Sequence, residues 1–436
     1  MKRSVPTARS VAAEVLLRTW RDRAFASAVL DATLQEKVQL DARDRGLATE
    51  LVYGVLRTTP WLAARLERYA PRGLGKLDPQ VRAHLLVASY ELFFLDRVPA
   101  FASVSSAVDL VREVRGERLA AFANAILRKV AREPKASRQQ AAWESVPSWL
   151  AKALARALGE DGAQAFVTSG LAPMDLRIEQ SEERSMWVER LREARPEARV
   201  EPGTVSPHAV HVWGGGFFRE LPGWAERAWT VQEEGSQLVA LAIGACKGEE
   251  VLDACAGRGN KTSLLARTGA VVDVADAHPG KLRQLGENLG RLNLQVRATY
   301  PVDWTVGVGE VKGPYDAVLV DAPCSGTGTL RRRPEVTHRR TEEELQSLRQ
   351  VQVALVSRAA GLLKPRGRLV YAVCSVLCEE GEQVVEALRA ECPQLVPAPF
   401  AGQEARALCG QSATLRLLPQ EHGTDGYFLA SFRWAC

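Results

Sequence analysis

Two of the eight cysteines follow apolar runs that read as buried strands. Cys324 comes three residues after "AVLVD", which closes on Asp321, and Cys374 follows "LVYAV". A thiolate is a strong nucleophile when its surroundings lower its pKa. On a pyrimidine ring it adds at C6 and turns C5, otherwise a poor nucleophile, into an enamine carbon that can attack a methyl donor. The scheme also needs a group that hydrogen-bonds the ring nitrogen, and Asp321 offers a carboxyl beside Cys324. A base must later remove the C5 proton. Pro323 fixes the backbone after the strand. Buried cysteines are usually small hydrophobes, which is the expectation for Cys246, Cys378, Cys392, Cys409 and Cys436. It explains Cys324 and Cys374 less well, because each stands just past a strand end. Spacing alone does not say which thiol attacks.

A second cluster lies upstream. "DACAGRGNKT" is a strand end followed by a glycine turn, with Gly257 and Gly259 ahead of a helix N-terminus. Such a turn lets a ligand approach the backbone, and the free N–H groups attract negative charge. The next strand ends at Asp276, about twenty residues on, where a carboxylate can bind ribose hydroxyls. Asp303, in "YPVDWT", falls beside an adenine pocket. NAD and S-adenosylmethionine both fit a glycine turn with an acidic residue. The chain shows no Asp/Glu/His set for hydride transfer, and the two thiols favour the sulfonium cofactor.

From about Gln232 onward, apolar strands alternate with amphipathic helices, closing on the alternating strand "DGYFLASFRW". That pattern predicts a parallel sheet covered on both faces, with ligands at the carboxyl ends of its strands. The first 135 residues place apolar residues at helical spacing in five segments, including "PQVRAHLLVASYELFFL". "REPKASRQQ" reads as a linker. "VPSWLAKALARALGEDGAQAFVTSGL" reads as two helices around a Gly-Glu-Asp-Gly turn. "MDLRIEQ" and "HAVHVWG" read as strands around the helix "SMWVERLREAR", a small α+β unit.

With 436 residues, 46% of them apolar and 25% charged, the chain is long enough for two or three globular domains. No apolar run reaches membrane-spanning length, since "LLVASYELFFL" is short and carries Glu91. The basic N-terminus lacks the apolar stretch of a signal peptide. A cytoplasmic protein with reduced cysteines and no metal is expected, since no CxxC pair occurs. Residues 1–135 hold 23 basic and 15 acidic side chains, against 34 basic and 37 acidic in the rest. A polyanion docked on the first part and processed by the second would suit that asymmetry.

These residues resemble the RNA cytosine-C5 methyltransferases, specifically the bacterial branch with an N-terminal NusB-like domain that modifies small-subunit ribosomal RNA. "DAPCSGTG" followed by "RRRPE", then "LLKPRGRLVYAVCSV", carries the likeness, with "VQEEGSQLVALAI", "FANAILRKVA" and the closing "DGYFLASFRW". The resemblance implies an all-α NusB-like RNA-binding domain over residues 1–138, a small α+β domain over 145–230 and an α/β Rossmann-like methyltransferase domain over 231–436. It implies Cys374 as the covalent nucleophile, Cys324 in product release and Asp321 holding the cytosine ring. It also implies S-adenosylmethionine held by Cys255, Ala256, Gly257, Arg258, Gly259, Asn260, Lys261, Asp276, Asp303 and Asp321.

The target base must be unpaired or flipped out. Arg331, Arg332, Arg333, Arg339 and Arg340 would form a basic stretch beside the catalytic turn that clamps RNA phosphates. A monomer is expected. Three positions depart from the family pattern: Arg258 stands for proline, Gly381 for asparagine in "EEGE", and Glu179 for asparagine in "LRIEQ". Two other readings stay open at this point. One is a DNA cytosine methyltransferase with Cys324 as nucleophile. The other is a non-catalytic RNA-binding or assembly factor.

Overall fold

The computed structural model describes residues 6–37, 39–70, 73–214 and 216–435. The first five residues of the basic N-terminus and Cys436, expected as a buried hydrophobe, lie outside the described residues. The rest divides into two compact units. One comprises the described residues up to Ala151 together with Leu330–Arg339, and the other comprises Lys152–Thr329 with the described residues from Arg340 on.

The first unit is helical: α1 (Ala8–Arg21), α2 (Ala26–Glu36), α3 (Ala42–Glu67), α4 (Pro79–Phe94), α5 (Ala100–Arg115), α6 (Glu117–Val130) and α7 (Arg138–Glu144). Side-chain caps start several of them. Thr7 forms a capping box with Ser10, and Asp78 accepts from Gln80 N–H ahead of Pro79. The apolar run "LLVASYELFFL" falls in α4, which is buried on nearly all sides. Its Glu91 is fully buried and paired with Arg9 at 2.9 Å. Helix α5 was not among the five anticipated segments. It buries Ser103, Ala107, Val108 and Val111, side chains too small or polar to give a clear apolar period. Among the described residues no helix is long and apolar enough to cross a membrane.

Helix α8 (Ser148–Thr168) bends at Gly159, where φ is +75°, so the two expected helices are arms of one kinked element. A small antiparallel sheet follows: β1 (Met174–Ile178), β2 (Arg199–Pro202), β3 (Ala209–Trp213) and β4 (Trp229–Val231), in the order β2-β3-β1-β4. Helix α9 (Arg184–Ala194) covers it through Trp187, Val188 and Leu191. Strands β2 and β4 are too short to show alternation and were not anticipated.

The large sheet is built from β5 (Glu250–Asp253), β6 (Val271–Asp276), β7 (Ala298–Pro301), β8 (Tyr315–Asp321), β9 (Leu363–Val373), β10 (Leu395–Pro397), β11 (Thr414–Leu417) and β12 (Tyr427–Trp434). Helix α10 (Glu234–Leu241) precedes it, and α11 (Asn260–Arg267), α12 (Pro279–Arg291), α13 (Glu342–Ala360) and α14 (Glu382–Glu391) connect its strands. The order is β10-β12-β9-β8-β5-β6-β7, with β11 on β12. Strands β5 to β9 pair in parallel, while β12, β10 and β11 pair antiparallel. The sheet is therefore mixed rather than wholly parallel as expected. The "DGYFLASFRW" strand runs against β9 and leaves one antiparallel edge.

Alternate residues of β8 and β9 enter two different cores. Val318, Val320, Tyr371 and Val373 lie in one, and Ala317, Leu319, Val370 and Ala372 in the other. Both faces of the sheet are thus covered. Chain order reverses between β5 and β8, which places the ligand crevice at their carboxyl ends.

Candidate active site

Four of the five parallel strands end in or run into a residue with chemistry. β5 ends at Asp253, β6 at Asp276, β8 at Asp321, and β9 runs into Cys374. Parallel pairing does this, because it brings all four carboxyl ends to one edge.

The glycine turn after β5 is shaped by two left-handed residues. Gly259, at φ +86°, is the N-cap of α11, and a Cβ there would meet the Leu285 side chain at 2.8 Å. Gly257, at φ +57°, has nothing within 4 Å of where its Cβ would lie. The backbone at Gly257 is therefore open to an approaching group. Asp276 is buried, and its Oδ2 accepts from Gly257 N–H at 3.0 Å while Oδ1 accepts from His278 N–H at 2.8 Å. Lys281 lies 3.7 Å from the same carboxyl. Arg258 is exposed, and its carbonyl accepts from Asn288 at 2.9 Å. Ala256 is buried, Asn260 is exposed, and Asp303 is exposed. Hydrogen bonds from the Thr305 side chain and backbone hold the Asp303 carboxyl below its ordinary pKa.

Lys261 projects from the first turn of α11 and pairs with Asp321 at 2.6 Å. Burial opposes its charge, but Asp321, Cys374 and Asp253 outweigh it and raise its pKa. Burial pushes Asp253 up to about 7, helped by Asp321 and opposed by the Thr262 hydrogen bond at 2.7 Å, by Lys261 and by the Cys255 N–H. The Cys255 thiol is raised well above its usual range, by burial first and then by the carboxyls of Asp321, Asp253 and Asp276.

Cys324 and Cys374, fifty residues apart in sequence, meet with Sγ atoms 3.3 Å apart. The Cys324 thiol is pushed well above its ordinary pKa. The causes are its hydrogen bond to Cys374, burial, the charge of Cys374 and the carboxyl of Glu380. The loop of Cys324 is stitched to that of Cys374: Gly328 N–H donates to the Cys374 carbonyl at 3.0 Å, and Gly426 N–H donates to the Gly328 carbonyl at 2.8 Å. A Cβ at Gly328 would lie 1.9 Å from the Gly426 oxygen, so backbone would have to move. Gly328→Ala is expected to cost about 2–3 kcal/mol, read as a lower urea midpoint at unchanged slope.

The basic stretch does not form one cluster. Leu330–Arg339 belongs to the helical unit. There the Arg339 guanidinium donates to the carbonyls of Thr19, Arg23 and Ala24 at the end of α1, and burial lowers its pKa. Arg333 sits over the Phe25 ring at 4.7 Å, Arg57 donates to the Arg331 carbonyl, and Ala26 N–H donates to Glu335 at 3.0 Å. Arg331 and Arg332 are half-buried. Arg340 returns to the second unit, where its Nε donates to the Ser325 carbonyl at 3.1 Å and it lies 3.9 Å from Glu344. In this structure Arg339 and Arg340 each donate to protein carbonyls. Arg339→Ala is expected to cost roughly 1.5–3 kcal/mol, the range for hydrogen bonds from a charged donor, in equilibrium unfolding.

The expectation for the other cysteines is corrected. Cys246 is exposed and Cys378 and Cys409 are half-buried, so of that group only Cys392 is a buried hydrophobe among the described residues. Of the three departures from the family pattern, Glu179 has side-chain partners and Gly381 has a close neighbour, while the Arg258 side chain is exposed. Glu179 is buried between Arg177 at 2.9 Å and Arg267 at 2.6 Å, and Arg177 also donates to the Asn260 carbonyl and Ser263 in the glycine turn's helix. A Cβ at Gly381 would already touch the Phe428 ring at 3.0 Å. Sequence reading missed this Arg177–Glu179–Arg267 brace, and also Glu380 and Gln352 behind the Cys324 loop. Arg267, and the Ser325 and Gln352 partners of Glu380, lie too far along the chain for any spacing signal.

A Rossmann-like methyltransferase domain preceded by a NusB-type helical domain is the class that this architecture defines. Residues 240–433 match the family described as 16S rRNA methyltransferase RsmB/F, and residues 6–132 match the NusB family. The chain is 35% identical over 404 residues to "Ribosomal RNA small subunit methyltransferase B" of Xylella fastidiosa, covering 89% of this chain and 90% of that protein. It is 29% identical over 450 residues to "Probable ribosomal RNA small subunit methyltransferase B" of Bacillus subtilis, covering 98% of each. Among solved structures, PH0851 shares the fold with a TM-score of 0.81 at 22% identity, over 99% of this chain and all of that one. NSun6 from Pyrococcus horikoshii, solved with SFG, shares it with a TM-score of 0.57 at 16% identity, over 66% of this chain and 98% of that one. The chain belongs to the 16S rRNA methyltransferase RsmB/F family and is an rRNA methyltransferase.

Proposed function

We propose that this chain methylates C5 of a cytosine in small-subunit ribosomal RNA, in the cytoplasm, through a bond between Cys374 and C6 of the ring. The observation that carries the reading is the 3.3 Å contact of two thiols beside the Lys261–Asp321 pair. The thiols sit in different fields. Cys324 faces the Glu380 carboxyl and keeps its proton, whereas the Lys261 ammonium interacts with Cys374. A thiol that keeps its proton is the poorer nucleophile, so Cys374 attacks.

The residues around the glycine turn fit S-adenosylmethionine. The backbone is open at Gly257, the Asp276 carboxyl lies beside it, and Asp253 is buried behind it. Asp276 would hold the ribose hydroxyls, the backbone from Cys255 to Lys261 would line the amino-acid end, and Asp303 would flank the adenine. When bound, the cofactor supplies an electrophilic methyl group on a sulfonium sulfur.

The chain's own residues do the rest. Cys374 Sγ bonds to C6, and the C5–C6 electron pair moves toward C5 and the ring nitrogen. Asp321, held by Lys261, lies where it can hydrogen-bond the ring. Cys324 passes its own proton to solvent, and its thiolate, kept strongly basic by burial and the Glu380 carboxyl, accepts the C5 proton from the methylated ring. The C6–S bond then breaks, the double bond re-forms, and Cys374 leaves as thiolate.

The test is transfer of labelled methyl from S-adenosylmethionine to unmodified small-subunit rRNA, followed by digestion to nucleosides. Label in 5-methylcytidine is expected. Label in another nucleoside, or no transfer, would overturn the reading.

A further inference from the structure

Glu380 faces Cys324 but makes or breaks no bond in the steps above, yet it is fully buried, and no lysine or arginine pairs with it among the described residues. A buried carboxyl is costly unless its hydrogen bonds are made. Here both oxygens are satisfied by the loop that carries Cys324. Ser325 N–H donates to Oε1 at 2.7 Å, and Ser325 Oγ–H donates to Oε2. Gln352, from α13, donates to the same Oε1 at 3.1 Å and to the Pro323 carbonyl at 3.0 Å. The Glu380 backbone is fixed in turn, because Tyr371 Oη donates to its carbonyl at 2.7 Å. Tyr371 lies in β9, three residues before Cys374.

The residues on both sides of Cys324 are therefore anchored, through Glu380 and Gln352, to the strand that presents the other thiol and to the helix behind it. Stability alone does not call for a carboxyl at 380, since a well-packed apolar side chain would avoid the desolvation cost. A satisfied buried network does fix one geometry.

We propose that Glu380 is a positioning residue that holds the Cys324 loop so that the thiol of Cys324 acts on the adduct formed by Cys374. The proposal rests on the covalent reading above. A misplacement of about 1 Å is worth up to roughly a hundredfold in rate. Loss of Glu380 should accordingly slow release and spare attack.

Full-length wild type, Glu380→Ala and Glu380→Gln are compared on two RNAs. The first is unmodified small-subunit rRNA, with product counted against covalent protein–RNA adduct on denaturing gels. The second is the same RNA transcribed with 5-fluorocytosine. Fluorine cannot leave C5 as a proton does, so adduct on this RNA reports attack by Cys374 alone. Glu380→Ala is expected to form adduct on the fluorinated RNA as wild type does. On ordinary RNA it should release product at least about tenfold more slowly and accumulate adduct. Glu380→Gln keeps the Oε1 acceptor and can donate to Ser325 Oγ, so it should recover to within about threefold of wild type.

A merely structural role would lower adduct and product together, in proportion to folded protein, and that result overturns the proposal. So does wild-type release by Glu380→Ala. Should Glu380→Ala fail to fold, Ser325→Ala removes one of the two loop bonds and is expected to accumulate adduct to a lesser degree. Wild-type behaviour of Ser325→Ala would then reject the proposal. A wild type that forms no adduct on either RNA overturns the covalent reading and this inference with it, whereas an active wild type with unaltered variants overturns this inference alone.

Discussion

Cys374→Ala is expected to reduce methyl transfer to background and to form no covalent adduct with RNA, while Cys324→Ala retains attack and accumulates the adduct. The two variants remove sulfur atoms only 3.3 Å apart, so proximity cannot separate their effects. Their surroundings can. The proton of the pair rests on Cys324, held by the hydrogen bond to Cys374, by burial and by the Glu380 carboxyl. Lys261, whose own pKa Cys374 helps to raise, is the cation that interacts with Cys374. Loss of Cys324 should slow turnover by roughly 10²–10⁴-fold, the usual worth of a positioned proton-transfer group. Both thiols are half-buried, and alanine fits either site, so neither change should unfold the protein. The measurement is methyl incorporation set beside adduct on a denaturing gel. If Cys374→Ala stays active and Cys324→Ala forms no adduct, the roles are reversed, and the chain uses the arrangement that DNA cytosine methyltransferases use.

Much of this site was legible because strand ends are legible. Runs such as "AVLVD" and "LVYAV" can only be buried strands, and in a parallel array the residues that follow them share one edge. Asp276, Asp321, Cys324 and Cys374 could therefore be grouped without knowing any distance. The antiparallel edge was harder. β10 and β11 span three and four residues, too few for a period of two to register. Helix α5 was missed for a related reason, since serines and alanines pack well but carry little hydropathy. Charge counting says least about Arg339 and Arg340. These neighbours enter different compact units, one closing the end of α1 and the other the Cys324 loop. A run of arginines states a net charge, and only the carbonyls it meets decide whether that charge is available to RNA. The same limit explains Glu179. As a departure from the family pattern it looks costly, but Arg177 and Arg267, which satisfy it, lie two and eighty-eight residues away.

Asp253→Asn is expected to remove a pH dependence of stability worth about 4 kcal/mol between roughly pH 4 and pH 7. Asp253 is fully buried at the end of β5, and burial pushes its pKa from 3.8 up to about 7. For a carboxyl whose folded pKa exceeds its unfolded one, the native state holds a proton that the unfolded chain has already released. Stability therefore falls as pH rises through that window and is level above it. This is the reverse of the usual behaviour of a salt-bridged carboxylate. The asparagine variant carries no such proton, so the stability difference between wild type and variant should change by about 3 kcal/mol, most of that amount, between pH 4.5 and pH 8 in urea unfolding. Its absolute offset also contains the burial of the new amide. The pH-dependent part does not contain that term and is the decisive quantity. A difference that stays constant with pH would mean that Asp253 ionises normally despite its burial. A change of the expected size would mean that Asp253 is neutral over much of the range below pH 7, which leaves the Lys261 ammonium to Asp321 and the nearby thiol. In that case the Lys261 ammonium serves the reacting edge, and the carboxyl behind it does not compete.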